Sequence, residues 1–222
     1  MFSKLPCNTL ASGALIGALA SVPIGASASL LGVTPGIPHL TYDNAGTLTY
    51  NAGTQLFSVN AVPLSFLFPP IPTSSSVFDS TSEGPKSFSF NIQVDNAGNL
   101  TGGVPGDDFL VIGAVDTTGD TILDADGVLL TGEISGFGFQ EDGATDLYDF
   151  LFVPTGGLLA PFYAGQNIGV TTESEGSTFT GSFNVNFGGG ASNTGLSVPE
   201  PATLVLFGLG LAGLGWSRRK KA

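Results

Sequence analysis

Eleven carboxylates fall between residues 107 and 149: Asp107, Asp108, Asp116, Asp120, Asp124, Asp126, Glu133, Glu141, Asp142, Asp146 and Asp149. No Lys or Arg interrupts them. Carboxylates crowded together repel one another unless water or a hard cation intervenes, and Ca2+ gathers about six to eight oxygens. One chemistry this segment could support is a Ca2+ site, with Asp116, Asp120, Asp124, Asp126 and Glu133 as the candidate ligands. Another is hydrolysis by a facing pair of carboxylates, as in glycosidases, a separation that spacing along the chain does not define. Residues 122–133 fall partly on the EF-hand template, with Asp124, Asp126, Gly127 and Glu133 in phase. Ile122 stands where the first carboxylate belongs, and no helical periodicity flanks the loop. A capped β-turn accounts for the same residues. His39 is the only histidine, so a histidine-containing zinc site or a Ser-His-Asp triad would have to use it.

The elements that must position these side chains are strands. Phe88, Phe90, Ile92 and Val94 alternate with Ser87, Ser89, Asn91 and Gln93. Phe179, Phe183, Val185 and Phe187 sit in a similar alternation with Thr180, Ser182, Asn184 and Asn186. A period of two with one polar face predicts half-buried strands. The runs 109–115 and 150–153 are apolar on both faces, as central strands are. A pattern of apolar residue, Asp, two residues, Gly, one residue and Leu recurs at 42–50, 94–102 and 123–132. It reads as strand, tight turn and returning strand, with Asp capping the turn and Gly taking positive φ. The chain is therefore expected to be all-β, a single antiparallel sandwich, jelly roll or open barrel over residues 29–187. Residues 69–85, rich in Pro and Ser, read as a long loop, and residues 188–197 as a flexible linker.

The two ends differ from this body. Residues 1–28 have a lysine, an apolar stretch and the sequence Ala26-Ser27-Ala28, the layout of a signal peptide cleaved after Ala28. Cys7 would leave with it, so the mature chain would have no thiol chemistry. Residues 198–222 have a stiff Val-Pro-Glu-Pro stub, an uncharged apolar run and the basic residues Arg218, Arg219, Lys220 and Lys221. Residues 202–217 are expected to form a transmembrane helix, with the basic end cytoplasmic. The Gly-x-Gly-x-x-Gly spelled by residues 208–213 lies inside that run, with no strand before it, and is not a nucleotide loop.

The order of Pro199-Glu200-Pro201, apolar run and basic end resembles the PEP-CTERM sorting signal of Gram-negative bacteria. The hairpin pattern above is also similar to patterns common in the bodies of such proteins. The resemblance implies processing near the Pro-Glu-Pro by an exosortase, an inner-membrane-anchored precursor, and a mature form at the outer surface or in the exopolysaccharide matrix. It implies nothing about the activity of the body.

Between the two ends, residues 29–197 have a single cation, Lys86, against seventeen acids, a formal charge of −16. Such a surface repels nucleic acid and anionic lipid. The first expectation for function is a non-enzymatic surface or matrix protein with no cofactor beyond possible Ca2+. The alternatives are a module binding carbohydrate, calcium or ice, the last through Thr41, Thr47 and Thr49, and a carboxylate-dependent hydrolase.

Overall fold

A computed structural model describes residues 29–33, 36–68, 73–143, 145–163 and 165–197. The expected signal peptide, with Ala26 and Ala28, and the expected transmembrane helix at 202–217 lie outside the described residues. Among the described residues there are twelve strands: β1 (His39–Tyr42), β2 (Gly46–Asn51), β3 (Leu56–Ala61), β4 (Pro63–Phe68), β5 (Thr73–Ser76), β6 (Ser87–Val94), β7 (Leu100–Gly103), β8 (Phe109–Val115), β9 (Ala125–Gln140), β10 (Thr145–Gly156), β11 (Ile168–Glu175) and β12 (Phe187–Ser197). A short 3-10 turn, Ala160–Tyr163, lies between β10 and β11.

All pairings between strands are antiparallel. Running through β11, β10, β9, β8, β6, β3, β2 and β12, the sheet returns to β11 and closes an eight-stranded barrel. Closure leaves these strands without a free sheet edge, which removes the pairing hazard of an open sheet. Of the architectures open from sequence, the barrel is the one formed, and it is closed. A flange of β1, β4 and β5 continues from the far end of β12.

β12 is the strand that closes the barrel. One edge pairs with β11. The other pairs first with β2, from Phe187 to Ala191, and then with β1, from Gly195 to Ser197. This corrects the expected flexible linker at 188–197. The glycines are there because neighbouring strands come too close for side chains. A Cβ on Gly189 would overlap Ser174 Oγ and lie 3.1 Å from the Glu175 carbonyl, and one on Gly188 would lie 3.0 Å from the Leu48 carbonyl. The run that looked like slack is a close-packed strand.

Alternation places the core. On β6, Phe88, Phe90, Ile92 and Val94 are buried and the residues between them are half-buried. Rings fill the interior: Phe90 stands 4.4 Å from Phe150 and 5.4 Å from Phe152, and Phe57 is 5.3 Å from Tyr148. At one end Phe179 and Phe183 cap the barrel, 4.5 and 5.3 Å from Phe187. At the other, Leu159 and, from the 3-10 turn, Tyr163 are buried. Each fully buried aromatic contributes about 1.5–3 kcal/mol of transfer free energy.

Three other expectations are corrected. Residues 179–186 are not a strand. Gly176 and Gly181 take φ of 61° and 76°, so the chain bends and drops Phe179 and Phe183 into the barrel mouth, while Val185 is 52% exposed. Of the three hairpin-like repeats, the second is a true hairpin, β6 to β7, with Gly98 at φ 84°. In the first, β1 and β2 do not pair but lie end to end along β12. In the third, the repeat runs into β9, and the turn lies upstream at 116–124. The expected loop at 69–85 contains a short strand, β5, held against β4.

Candidate functional site

The five candidate Ca2+ ligands occupy three separate hydrogen-bonding environments. The loop between β8 and β9 is closed from inside by two of them. Asp116 accepts the N–H groups of Thr118 at 3.0 Å, Gly119 at 2.6 Å and Thr121 at 2.7 Å. Asp124 accepts the N–H of Thr117 at 2.8 Å and of Thr118 at 3.1 Å, and the Thr117 hydroxyl at 2.9 Å. Desolvation pulls the Asp116 carboxyl upward, but the N–H groups of Gly119, Thr121 and Thr118 together outweigh it and hold it below the usual carboxylate range. For Asp124 the Thr117 hydroxyl leads the same downward shift. Asp120 caps its own turn, accepting the Ile122 N–H at 2.9 Å.

Asp126 faces the other way. It accepts the Ser80 hydroxyl at 2.7 Å, the Thr81 N–H at 3.0 Å and the Thr81 hydroxyl, and these donors lower its pKa. The carboxylate thus ties β9 to the segment after β5. Residues 125–133, which fall on the latter part of the partial EF-hand match, are strand β9, so that template is excluded. Among the described residues, no group of three or more His, Cys, Asp or Glu is placed to hold a metal ion.

Glu133 is exposed and belongs to a third environment. Its carboxyl lies within hydrogen-bonding reach of Asp108, and desolvation followed by the charges of Asp108 and Asp107 raises its pKa. Asp108 is 2% exposed. Its oxygens accept the N–H groups of Val104 at 2.6 Å and Ile134 at 2.8 Å. Asp107 accepts the Thr155 hydroxyl at 2.6 Å. Asp108 is therefore a clamp between the β7–β8 turn and β9, with both oxygens already engaged.

Other candidates are also accounted for. His39 opens β1; its Nδ1 is buried without a partner, and burial lowers its pKa. Thr47 and Thr49 point outward from β2, while the Thr41 hydroxyl shares a 2.8 Å hydrogen bond with Ser65. Sequence reasoning gave no special place to Asp108, Asp146 and Asp149, the buried carboxylates. For Asp146 the signal was present: it is in phase with Tyr148, Phe150 and Phe152, the inward residues of β10.

The last described residue, Ser197, both ends β12 and begins a match to the PEP-CTERM protein-sorting motif, which covers residues 197–220. The chain carries a PEP-CTERM sorting signal. The match takes in Pro199, Glu200 and Pro201 and the basic residues Arg218, Arg219 and Lys220; these, with Lys221, lie outside the described residues. A PEP-CTERM signal marks a chain that is exported and processed by an exosortase for the cell surface. Neither a curated protein nor a solved structure matches the chain. The PEP-CTERM signal gives the barrel a destination and leaves its role there to be argued from its construction.

Proposed function

We propose that the protein is a non-enzymatic component of the outer surface or exopolysaccharide matrix of a Gram-negative bacterium. It is made as a precursor held in the inner membrane through residues 202–217, with Arg218 to Lys221 on the cytoplasmic side, and is released or re-anchored by an exosortase acting near Pro199-Glu200-Pro201. The observation that carries this reading is the sorting motif starting where a closed barrel ends.

The construction of the barrel supports a passive body. A barrel that carries a small organic molecule keeps an empty interior, whereas here aromatic rings are packed through the lumen from Phe183 to Phe109. The acidic segment supports it too: Asp108, Asp116, Asp124 and Asp126 spend their oxygens on backbone and hydroxyl donors that hold loops in place. A high negative charge keeps such a body soluble and apart from nucleic acid.

The test replaces Pro199, Glu200 and Pro201 with alanine in the native cell and follows the mass and fractionation of the product. Accumulation of an uncut, membrane-bound form is expected. Unchanged processing and surface arrival would overturn the sorting reading.

A further inference from the structure

Inside the mouth of the barrel, two successive inward-facing rungs of the β10–β11 ladder pair Tyr148 with Thr172 and Asp146 with Ser174. All four residues are buried and point inward. Cβ atoms of directly paired residues lie about 5 Å apart and those of successive rungs on one face about 7 Å apart, so the four side chains spring from one small patch of wall. Asp146 Oδ1 accepts the Asp142 N–H at 3.0 Å. Asp146 Oδ2, Thr172 Oγ1, Ser174 Oγ and the Tyr148 hydroxyl, which lies beside Ser177, are buried without a hydrogen bond of good geometry. The patch lies under the cap that contains Phe179, 6.1 Å from the Tyr148 ring.

A buried carboxylate needs a compensating charge or a full set of donors. Protein offers Asp146 one N–H and no cation. Lys86, the single cation of residues 29–197, donates to the Val77 carbonyl at 2.7 Å. The unfilled groups around Asp146 are all oxygens, the donor type of hard cations.

We propose that this buried patch binds a hard, oxygen-seeking cation of the Ca2+ type, held by Asp146 with the hydroxyls of Ser174, Thr172 and Tyr148. The site is distinct from the loop at 116–124, whose carboxylates are already occupied by N–H donors. It goes beyond the matrix reading: an ion locked under the aromatic cap would tie folding of the secreted barrel to the calcium of the medium.

The test uses the full chain in detergent, stripped with chelator and titrated with CaCl2 at constant ionic strength. A saturable rise in Tm is expected. It should be lost in Asp146→Asn and weakened in Ser174→Ala, and retained when Asp116 and Asp124 are both changed to Asn. Tb3+ added in place of Ca2+ should show luminescence excited through tyrosine, reduced in Tyr148→Phe. A Tm that ignores Ca2+, or a Ca2+ response that survives Asp146→Asn, overturns the proposal. It is equally overturned if Asp146→Asn raises Tm and leaves the Ca2+ response unchanged, because the carboxylate then holds no cation. Sorting can fail or succeed independently of these outcomes, since the alanine replacement at Pro199 to Pro201 reads a different property.

Discussion

Asp149, in the middle of β10, accepts the N–H of Gly32 at 3.1 Å, a contact spanning 117 residues of chain. The same oxygen accepts the Val33 N–H at 3.3 Å. The first described residues therefore lie as a strap across the outside of β9 and β10. Gly136 and Gly138 make room for it: a Cβ on Gly138 would stand 2.7 Å from the Ser29 carbonyl and 2.9 Å from the Leu31 nitrogen. With cleavage after Ala28, this strap would be the new N-terminus.

The strap gives a pH-dependent prediction. Desolvation raises the Asp149 pKa, and the Val33 and Gly32 N–H groups only partly offset it. The folded state then holds the proton more tightly than the unfolded chain, so this group's contribution falls as pH rises through its folded pKa and recovers toward the ordinary aspartate range. Asp149→Asn should flatten that part of the stability–pH profile, measured by thermal melts across mildly acidic pH. Asp149→Ala, which strands the N–H groups, should cost about 1–2 kcal/mol. Identical slopes in wild type and Asp149→Asn would remove the strap's role.

Gly189→Ala separates strand from linker. In a linker the change is neutral or slightly stabilising. In β12 the new methyl overlaps Ser174 and presses on the Glu175 carbonyl, so a loss of about 1–3 kcal/mol is expected. Chemical denaturation reads the difference, and a wild-type midpoint would mean that 188–190 do not pack as described.

The loop at 116–124 should respond to acid in the opposite sense to Asp149. Asp116 and Asp124 have lowered pKa values, so their contribution is present above the unfolded aspartate pKa and lost as pH falls through the folded value. Amide exchange at Thr118, Gly119 and Thr121 should quicken on acidification, and at neutral pH in Asp116→Ala. Unchanged protection in that variant would show that the carboxylate does not hold the loop.

Phe90→Ala should cost about 3–5 kcal/mol, because the rings of Phe150 and Phe152 cannot collapse into the space. A loss below about 1 kcal/mol would mean a lumen looser than the ring distances indicate.

What could be read in the chain before folding was whatever depends on neighbours in sequence. The alternation at Phe88 to Val94 became β6 because burying every second side chain needs only the local pleat. The sorting tail was legible for the same reason: its stiff stub, apolar run and basic end act through chemistry carried in about two dozen adjacent residues. Gly188, Gly189 and Gly190 misled because their reason is contact with Leu48, Ser174 and Glu175, residues on other strands that adjacent sequence does not reveal. Phe179 and Phe183 had the right burial and the wrong conformation; apolar spacing reports what must be hidden, and Gly176 and Gly181 decide how the backbone gets there. The carboxylates of 116–126 resembled a cation site because sequence shows acids and omits the N–H groups that fold around them.

The residue that ends β12 is also where the tail begins, and this has a mechanical consequence. If the tail is held in a membrane as proposed, a pull on it enters the domain through its own closing stave, β12. Drag on the domain would be delivered along β12 and shared between β11 on one side and β2 and β1 on the other. Hydrogen bonds loaded along the strand must yield together, where a peeled edge would lose them one by one. A pull hard enough to strip β12 from its neighbours would therefore have to unfold the domain.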